Sequence, residues 1–433
     1  MGKQGERVLY ILGRRPRLLL DFRMRHNSLF LIALTALLLV TAAIPRAAGQ
    51  QRDPLTLQKA LEMADQRNLD LLAARQRRAL TPARIQIAKQ RPNPTFTFGA
   101  SRDTPHQGLA FEQPLEFRFR RQRRIEQATE EGGLTELEIA ALVWQVRCTT
   151  REAYYGVAQA RAELALLAKM QGLAERLREI AKERFEAGAV AQVEVLRAEA
   201  EVARAQAEVL LARQSEKVAF SQLNALLNQP AAATWELAGS LEDMLPPLAL
   251  EAAVQRAYDL NPELKHLAQE RKVEQSRLGV LKAERYPAPS VGFGADFNAP
   301  EEYRMGGRAQ LSLVLPLFTR NQGEIAESLA NQRVLESKTA ATKRATAGAV
   351  ERAYLRLMAL EEQVQIYRQK LLPSARQLEA LAEESYRAGK SDILFVLDAQ
   401  RNVHEVEHNY LSTLAAQQSA YVTLEEAVGG TLE

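Results

Sequence analysis

A chain of 433 residues, 46% hydrophobic and 25% charged, has the composition of a folded protein and the length of two or three ordinary domains or one very elongated one. Of its 57 basic and 53 acidic residues, 8 and 2 precede Gln50, leaving 49 and 51 in the remainder. That near-neutral remainder lacks the cationic footprint of a nucleic-acid binder, and a single cysteine, Cys148, excludes an intrachain disulfide.

Residues 1–49 read as an export signal peptide. Met24-Arg25-His26, a candidate true start, precedes the apolar run LFLIALTALLLV and the small residues Ala47-Ala48-Gly49. The run is shorter than the ~20 residues that span a bilayer. Cys148 lies too deep in the chain to be the lipid-bearing first residue of a lipoprotein.

A helical pattern over residues 55–90 ends at Pro92 and Pro94, because proline lacks the N–H and restricts the residue before it. Period two follows. Phe96, Phe98 and Ala100 oppose Thr95, Thr97 and Ser101; Leu109, Phe111, Leu115, Phe117 and Phe119 oppose Glu112, Glu116, Arg118 and Arg120. This predicts a β-hairpin over 95–119. A rod then runs without proline from about Arg123 to Glu186, breaks at Ala187-Gly188-Ala189, and returns to about Leu227.

A linker, 229–247, separates this first repeat (50–228) from a second (248–433). LTLQKALEMADQRNLDL from Leu55 matches LALEAAVQRAYDLNPEL from Leu248, RPNPTFTFGA from Arg91 matches YPAPSVGFGA from Tyr286, and RFEAGAVAQVEVLRAEAE from Arg184 matches SYRAGKSDILFVLDAQRN from Ser385. The second hairpin is predicted over 290–318, with Asp296 and Arg308 on its polar side. Its rod is interrupted at Pro373 and breaks at Gly389, so the helical-hairpin tips fall near 188 and 389. Four strands of about ten residues have the length of tilted membrane strands but cannot close a barrel. The chain is therefore expected to oligomerise, three copies giving twelve strands and two giving eight, around a water-filled interior.

Two clusters compete for a chemical reading. HEVEH, His404 to His408, fits the H-E-x-x-H zinc-protease pattern. The seam of its helix, however, reads as Val396, Ala399, Val403, Val406 and Tyr410, which puts both histidines on a flank. No histidine follows that could be a third ligand. A solvated flank is the main reading, an incidental surface metal site or a protease the alternatives. The run RFRRQRR, Arg118 to Arg124, is either a solvated collar or, through Arg118 and Arg120 on the polar strand face, a positive ring in a pore.

The duplicated halves, the placement of the hairpins, the glycines at the turns and the stretch LPLFTRNQGEIAES from Leu315 resemble the TolC-like outer-membrane efflux proteins, and within them the cobalt–zinc–cadmium branch. Where that family usually has Gly-Gly-Lys-Arg, this chain has Arg118-Phe119-Arg120-Arg121. The resemblance implies a mainly α chain whose long helical hairpins form a trimeric α-barrel, with four strands per chain in a twelve-stranded outer-membrane β-barrel. The implied partners of the homotrimer are a periplasmic membrane-fusion adaptor, an inner-membrane RND-type pump and the lipid bilayer. The implied function is a gated conduit, not an enzyme, without cofactor or nucleic acid, exporting heavy-metal cations; drug efflux or type I secretion are the alternatives. A coiled-coil scaffold outside membranes is a third reading, which the four matched strands disfavour.

The resemblance further implies adaptor docking at Gly188, Ala189, Gly389 and Lys390. It implies a periplasmic gate at Glu194, Asp398, Phe395 and Asp392, with Phe395 where another acid is common and Ser391 where some members carry a bracing arginine. The expected pore-lining residues are Arg118, Arg120, Asp296 and Arg308.

Overall fold

The computed structural model describes residues 54–243, 249–299 and 303–432. The expected signal peptide and the alternative start at Met24 lie outside the described residues. Three short helices, α1 (Leu57–Arg67), α2 (Leu69–Gln76) and α3 (Leu80–Lys89), precede strands β1 (Thr95–Ala100) and β2 (Gln107–Pro114). The long helices α4 (Arg118–Glu186) and α5 (Gln192–Leu226) complete the first half. The second half repeats the plan: α6 (Leu250–Leu260), α7 (Pro262–Glu284), β3 (Ala288–Ala299), β4 (Tyr303–Val314), α8 (Gln322–Ile366), α9 (Leu372–Arg387) and α10 (Ile393–Val428).

The 69 residues of α4 make a rod of roughly 100 Å at 1.5 Å per residue. It lies against α5, α7 and α10. Most of the stability of a helix in a folded protein comes from its packed faces rather than from propensity. Small residues occupy the closest contacts, among them Ala174, Ala181, Ala198, Ala205 and Ala212, all buried. Among the described residues no helix is both long and apolar enough to cross a membrane.

The duplication extends to individual hydrogen bonds. Asn68 caps α2 by accepting from the Asp70 and Leu71 amides, and its Nδ2 donates to the Leu226 carbonyl at the end of α5. Asn261 caps α7 by accepting from the Glu263 and Leu264 amides and donates to the Ala427 carbonyl at the end of α10. Each asparagine thus starts one helix and finishes another, meeting orphan groups at both ends.

The segment after α5 is docked rather than free. Leu55 and Leu237 form a parallel bridge, Trp235 donates to Asn224 Oδ1 at 2.9 Å, and Tyr154 donates to the Leu55 carbonyl at 2.9 Å. Leu237 and Leu241 join the core around Leu71, Phe220 and Leu414.

Two expectations, both on the hairpin bounds, need correction, and two others gain detail. The first hairpin ends at Pro114, not 119: Arg118 opens α4, so Arg118 and Arg120 are helix residues, not members of a strand face. Alternation over so few residues fits both periods, and the Arg/Gln-rich run that follows favours helix. The second hairpin spans 288–314 rather than 290–318, and β1 and β2 contain only 6 and 8 residues against 12 in β3 and in β4. At Pro373 the rod widens into a π-helical turn, Tyr367–Leu371, which relieves the clash of the proline ring with the preceding turn. On α10 the position expected for Val406 in the seam is shared: Val406 is half-buried, and Glu407 beside it is buried.

Glu407 is held by Arg376 of α9 at 2.7 Å and Lys169 of α4 at 3.3 Å. A second buried acid, Glu425 of α10, pairs with Arg151 of α4, the side chains being only 3% and 15% exposed. Near that pair lies the Cys148 thiol, pushed up to about 12 by burial and then by the nearby Glu426 and Glu425 carboxylates.

Replacing Asn68 or Asn261 by alanine is expected to cost about 1–2 kcal/mol each, the range of a lost cap, read as a shift of the denaturant midpoint in detergent. Arg151→Ala is expected to cost about 3–5 kcal/mol, because it strands a buried carboxylate. Cys148 should resist alkylation at neutral pH until the protein unfolds, which mass spectrometry of iodoacetamide-treated protein would report.

Candidate functional site

Two regions carry the residues singled out in the sequence: the sheet and the helical-hairpin tips.

The sheet has the order β1-β2-β3-β4, antiparallel throughout. Its register places Phe96 opposite Phe111, Phe111 opposite Phe293 and Phe293 opposite Ala309. Because side chains alternate with period two, Phe96, Phe98, Leu109, Phe111, Phe293, Leu311 and Leu313 share one face. Thr95, Thr97, Glu112, Ser290, Asp296, Arg308, Gln310 and Ser312 share the other. On that polar face Arg308 and Asp296 form an ion pair at 3.1 Å, and Glu112 accepts from Ser290 at 2.5 Å. Two of the four expected pore-lining charges, Asp296 and Arg308, are therefore neighbours that pair with each other. The strands at the ends of the order, β1 and β4, each have one edge without a partner strand among the described residues.

Arg120 caps α7: its guanidinium donates to the carbonyls of Ala283, Glu284 and Tyr286, where the helix leaves acceptors unpaired. Arg124 pairs with the buried Glu116 at 2.7 Å and Arg123 with Glu126 at 2.8 Å. Arg118 is exposed. Most of the cluster thus fastens the strand-to-helix junction.

At the tips both turns have one geometry. Gly188 and Gly389 sit at φ +69° and +70°, the left-handed region that disfavours a side chain. Ala189 donates to the Arg184 carbonyl at 2.8 Å, and Lys390 to the Ser385 carbonyl at 2.9 Å. Each turn closes its helix by the bonding that ends a helix at a left-handed glycine.

Behind the turns four helices meet in a core that includes Leu177, Ala181, Ala198, Ala382, Ile393 and Val396 around Tyr386. The Tyr386 ring is fully buried, and its hydroxyl donates to Glu194 Oε2 at 3.0 Å. Arg184 stacks over that ring, 4.4 Å from its centroid, and donates to the Tyr386 carbonyl. Burial first, then the bond to Glu194, pushes the phenol up to about 12. A second link lies further along: Arg401 pairs with Glu201 of α5 at 2.5 Å and approaches Asp398 at 3.9 Å. Asp398 itself is 75% exposed. Asp392 precedes α10 without a side-chain capping bond; Phe395 is exposed, and the Ser391 hydroxyl is buried without a partner.

Glu194 and Asp398 are therefore not in direct contact. Each is tied between the two halves or to a residue that is, through Tyr386 and Arg401. Sequence reasoning missed both of these, together with Arg184 and Glu201. A signal existed for Tyr386: the repeat aligns it with Phe185, an aromatic before each tip glycine.

His404 and His408 lie on the flank of α10, their ring centroids 6.2 Å apart. His408 Nδ1 is 2.8 Å from Glu163 Oε1. No group of three or more His, Cys, Asp or Glu side chains among the described residues could hold a metal ion. The zinc-protease geometry is thus not assembled here.

The chain thus combines duplicated long helical hairpins with a two-faced, open-edged sheet. The chain belongs to the outer membrane efflux protein family, whose model matches residues 60–229 and 253–430. It is 26% identical to the cobalt-zinc-cadmium resistance protein CzcC of Cupriavidus metallidurans over 392 residues, covering 90% of this chain and 93% of that protein. It is 24% identical to the pyoverdine export outer membrane protein OpmQ of Pseudomonas aeruginosa, covering 89% and 86%. Its fold matches the crystal structure of the outer membrane protein VceC from Vibrio cholerae with a TM-score of 0.69 at 17% identity, covering 87% and 97%. It is a transport conduit and not an enzyme.

Tyr386→Phe should loosen the tip by about 1.5–3 kcal/mol, the worth of a hydrogen bond to a charged group, and raise single-channel conductance in planar bilayers. The phenol's folded-state value lies above its ordinary value of about 10, so its contribution is complete below that pH. It is lost as pH climbs toward about 12. Conductance of the unmodified protein should rise across that interval, and that of the phenylalanine variant should stay flat.

Proposed function

We propose that three copies of this chain close a twelve-stranded barrel in the outer membrane above a tunnel walled by the helical hairpins, and that this homotrimer is the exit duct of a tripartite efflux pump. One observation carries the reading: the sheet is apolar on one face, polar on the other and open at both β1 and β4. An unpaired strand edge in hydrocarbon costs several kcal/mol per group, so each β4 needs the β1 of a neighbour. Two copies give eight strands and three give twelve; we take three, the number implied by the resemblance to the TolC-like efflux proteins. The polar face with Thr97, Glu112, Asp296 and Arg308 then lines the water.

In this reading the tips form the periplasmic end. Glu194, Asp398, Phe395 and Asp392 surround the constriction. The exposed turns at Gly188, Ala189, Gly389 and Lys390 meet the periplasmic adaptor, which couples the duct to an RND-type pump in the inner membrane. The Tyr386–Glu194 bond and the Arg401–Glu201 pair hold the gate shut, and threefold symmetry gathers the exposed Asp398 carboxylates into one ring that attracts cations. For cargo we favour divalent heavy-metal ions, supported by the likeness to CzcC over 90% of the chain. Within the arginine run, Arg123 and Arg124 are paired with carboxylates, which lowers the positive charge a cation would meet there. A second reading, small organic cargo, is favoured by the likeness to OpmQ.

The protein should appear in the outer-membrane fraction as a heat-modifiable trimer on detergent gels; a monomer that leaves bilayers tight would remove the duct. Glu194→Ala with Asp398→Ala should raise single-channel conductance, and an unchanged value would take these residues out of the gate. Cells expressing the duct with a heavy-metal RND-type pump and its adaptor should gain tolerance to cobalt, zinc or cadmium. Tolerance to organic dyes alone would select the second cargo.

A further inference from the structure

At the lower border of the sheet, where β4 ends and α7 runs into β3, lies an open cavity of about 740 Å³. Four cationic side chains line it: Arg123, Lys282, Arg285 and Arg320. None of its lining residues is acidic. Arg123 is paired with Glu126, and the Arg320 side chain donates to the Pro316 carbonyl. Lys282, Arg285 and Arg320 have no carboxylate partner among the described residues. So many like charges around one hollow repel each other unless an anion sits among them.

The surroundings say which kind of anion. The cavity wall includes Leu315 and Leu317, which follow the end of β4 at Val314, beyond Leu311 and Leu313 on the apolar face of the sheet. All four are exposed. Phe117, Phe119 and Tyr286 are exposed about the cavity, and Phe318 is 91% exposed. Aromatic side chains with basic neighbours are what a protein presents where hydrocarbon gives way to headgroups. Closure of a barrel through the backbone edge of β4 would leave that apolar face uncovered.

We propose that this cavity binds the phosphate-bearing headgroup of an anionic glycerophospholipid in the periplasmic leaflet, with the acyl chains lying along Leu317, Leu315, Leu313 and Leu311. The inference rests on the outer-membrane duct reading and deepens it: the lipid seats the barrel at a fixed depth, at the junction that Arg120 fastens from within.

The test uses the full chain, purified in mild detergent and exchanged into nanodiscs and vesicles of phosphatidylglycerol mixed with phosphatidylcholine of the same acyl length. Native mass spectrometry of the retained lipid should show enrichment of phosphatidylglycerol over its share of the mixture. Lys282→Gln with Arg285→Gln and Arg320→Gln should lower that enrichment at least ~5-fold, a fraction of what three charges near an anionic surface contribute. The double variant lacking only Lys282 and Arg285 should lower it in part if the triple variant does not fold. A control on α5, Arg213→Gln with Lys217→Gln, charge-matched to the double variant, should retain the preference. Equal enrichment in the site variant and the control overturns the proposal, as does loss of bound lipid to excess inorganic phosphate alone, which would mark a free-anion site. So does a trimer in which Lys282 and Arg285 are buried against the neighbouring copy. Vesicle leakage in the same samples separates the two readings. A leaking protein without lipid preference refutes only the lipid site, and a protein that enters no bilayer refutes the duct with it.

Discussion

Every backbone N–H and C=O removed from water needs a partner, and this requirement governs the molecule. The four strands meet it internally across three ladders and leave it unmet at the outer edges of β1 and β4. Duplication supplies the strands in two hairpins, and the alternation along each strand sorts apolar from polar residues onto opposite faces. A sheet so built is stable in a membrane only as part of a closed ring. The proposed function follows from the shortage of strands, not from any one side chain.

The same accounting continues in the helices. Asn68 and Asn261 each satisfy two amides at the start of one helix and a carbonyl at the end of another. Arg120 donates to two carbonyls at the C-terminal end of α7. Buried charges are paired across helices: Glu407 with Arg376 and Lys169, and Glu425 with Arg151. Such pairs add little net stability, because desolvation offsets attraction, but they penalise any helix register that separates them. Rods of 69, 45 and 36 residues, with small residues along their seams, could slide past one another by a turn at modest loss of apolar contact. Paired charges oppose that slip.

The tips are built differently. Their apolar core is small and rich in alanine, and polar links between the two halves add to it: Tyr386 to Glu194, Arg184 to Tyr386 and Arg401 to Glu201. A few hydrogen bonds, each of modest net value in contact with water, can be broken and remade without unfolding the rods. That suits the gate proposed for this end, and it contrasts with the middle of the chain, where the docked linker and large buried side chains such as Tyr154, Phe220 and Leu414 make a larger core.

The sequence by itself determined the duplication, the two hairpins, the breaks at Gly188 and Gly389 and the two-faced alternation. Each of these is a local periodicity, or a residue type whose backbone freedom differs from its neighbours. It also determined that His404 and His408 lack a third ligand on their own helix. Only the tertiary structure decided where the first hairpin stops, because Phe and Arg alternating from Phe117 to Arg120 satisfy either period until Arg120 meets the end of α7. It likewise decided that Glu407 turns inward, and that Asp296 pairs with Arg308. It tied Glu194 to Tyr386 across 192 positions of sequence. Those outcomes depend on charges and hydroxyls meeting partners far away along the chain, and a sequence read in short windows contains no distance between them.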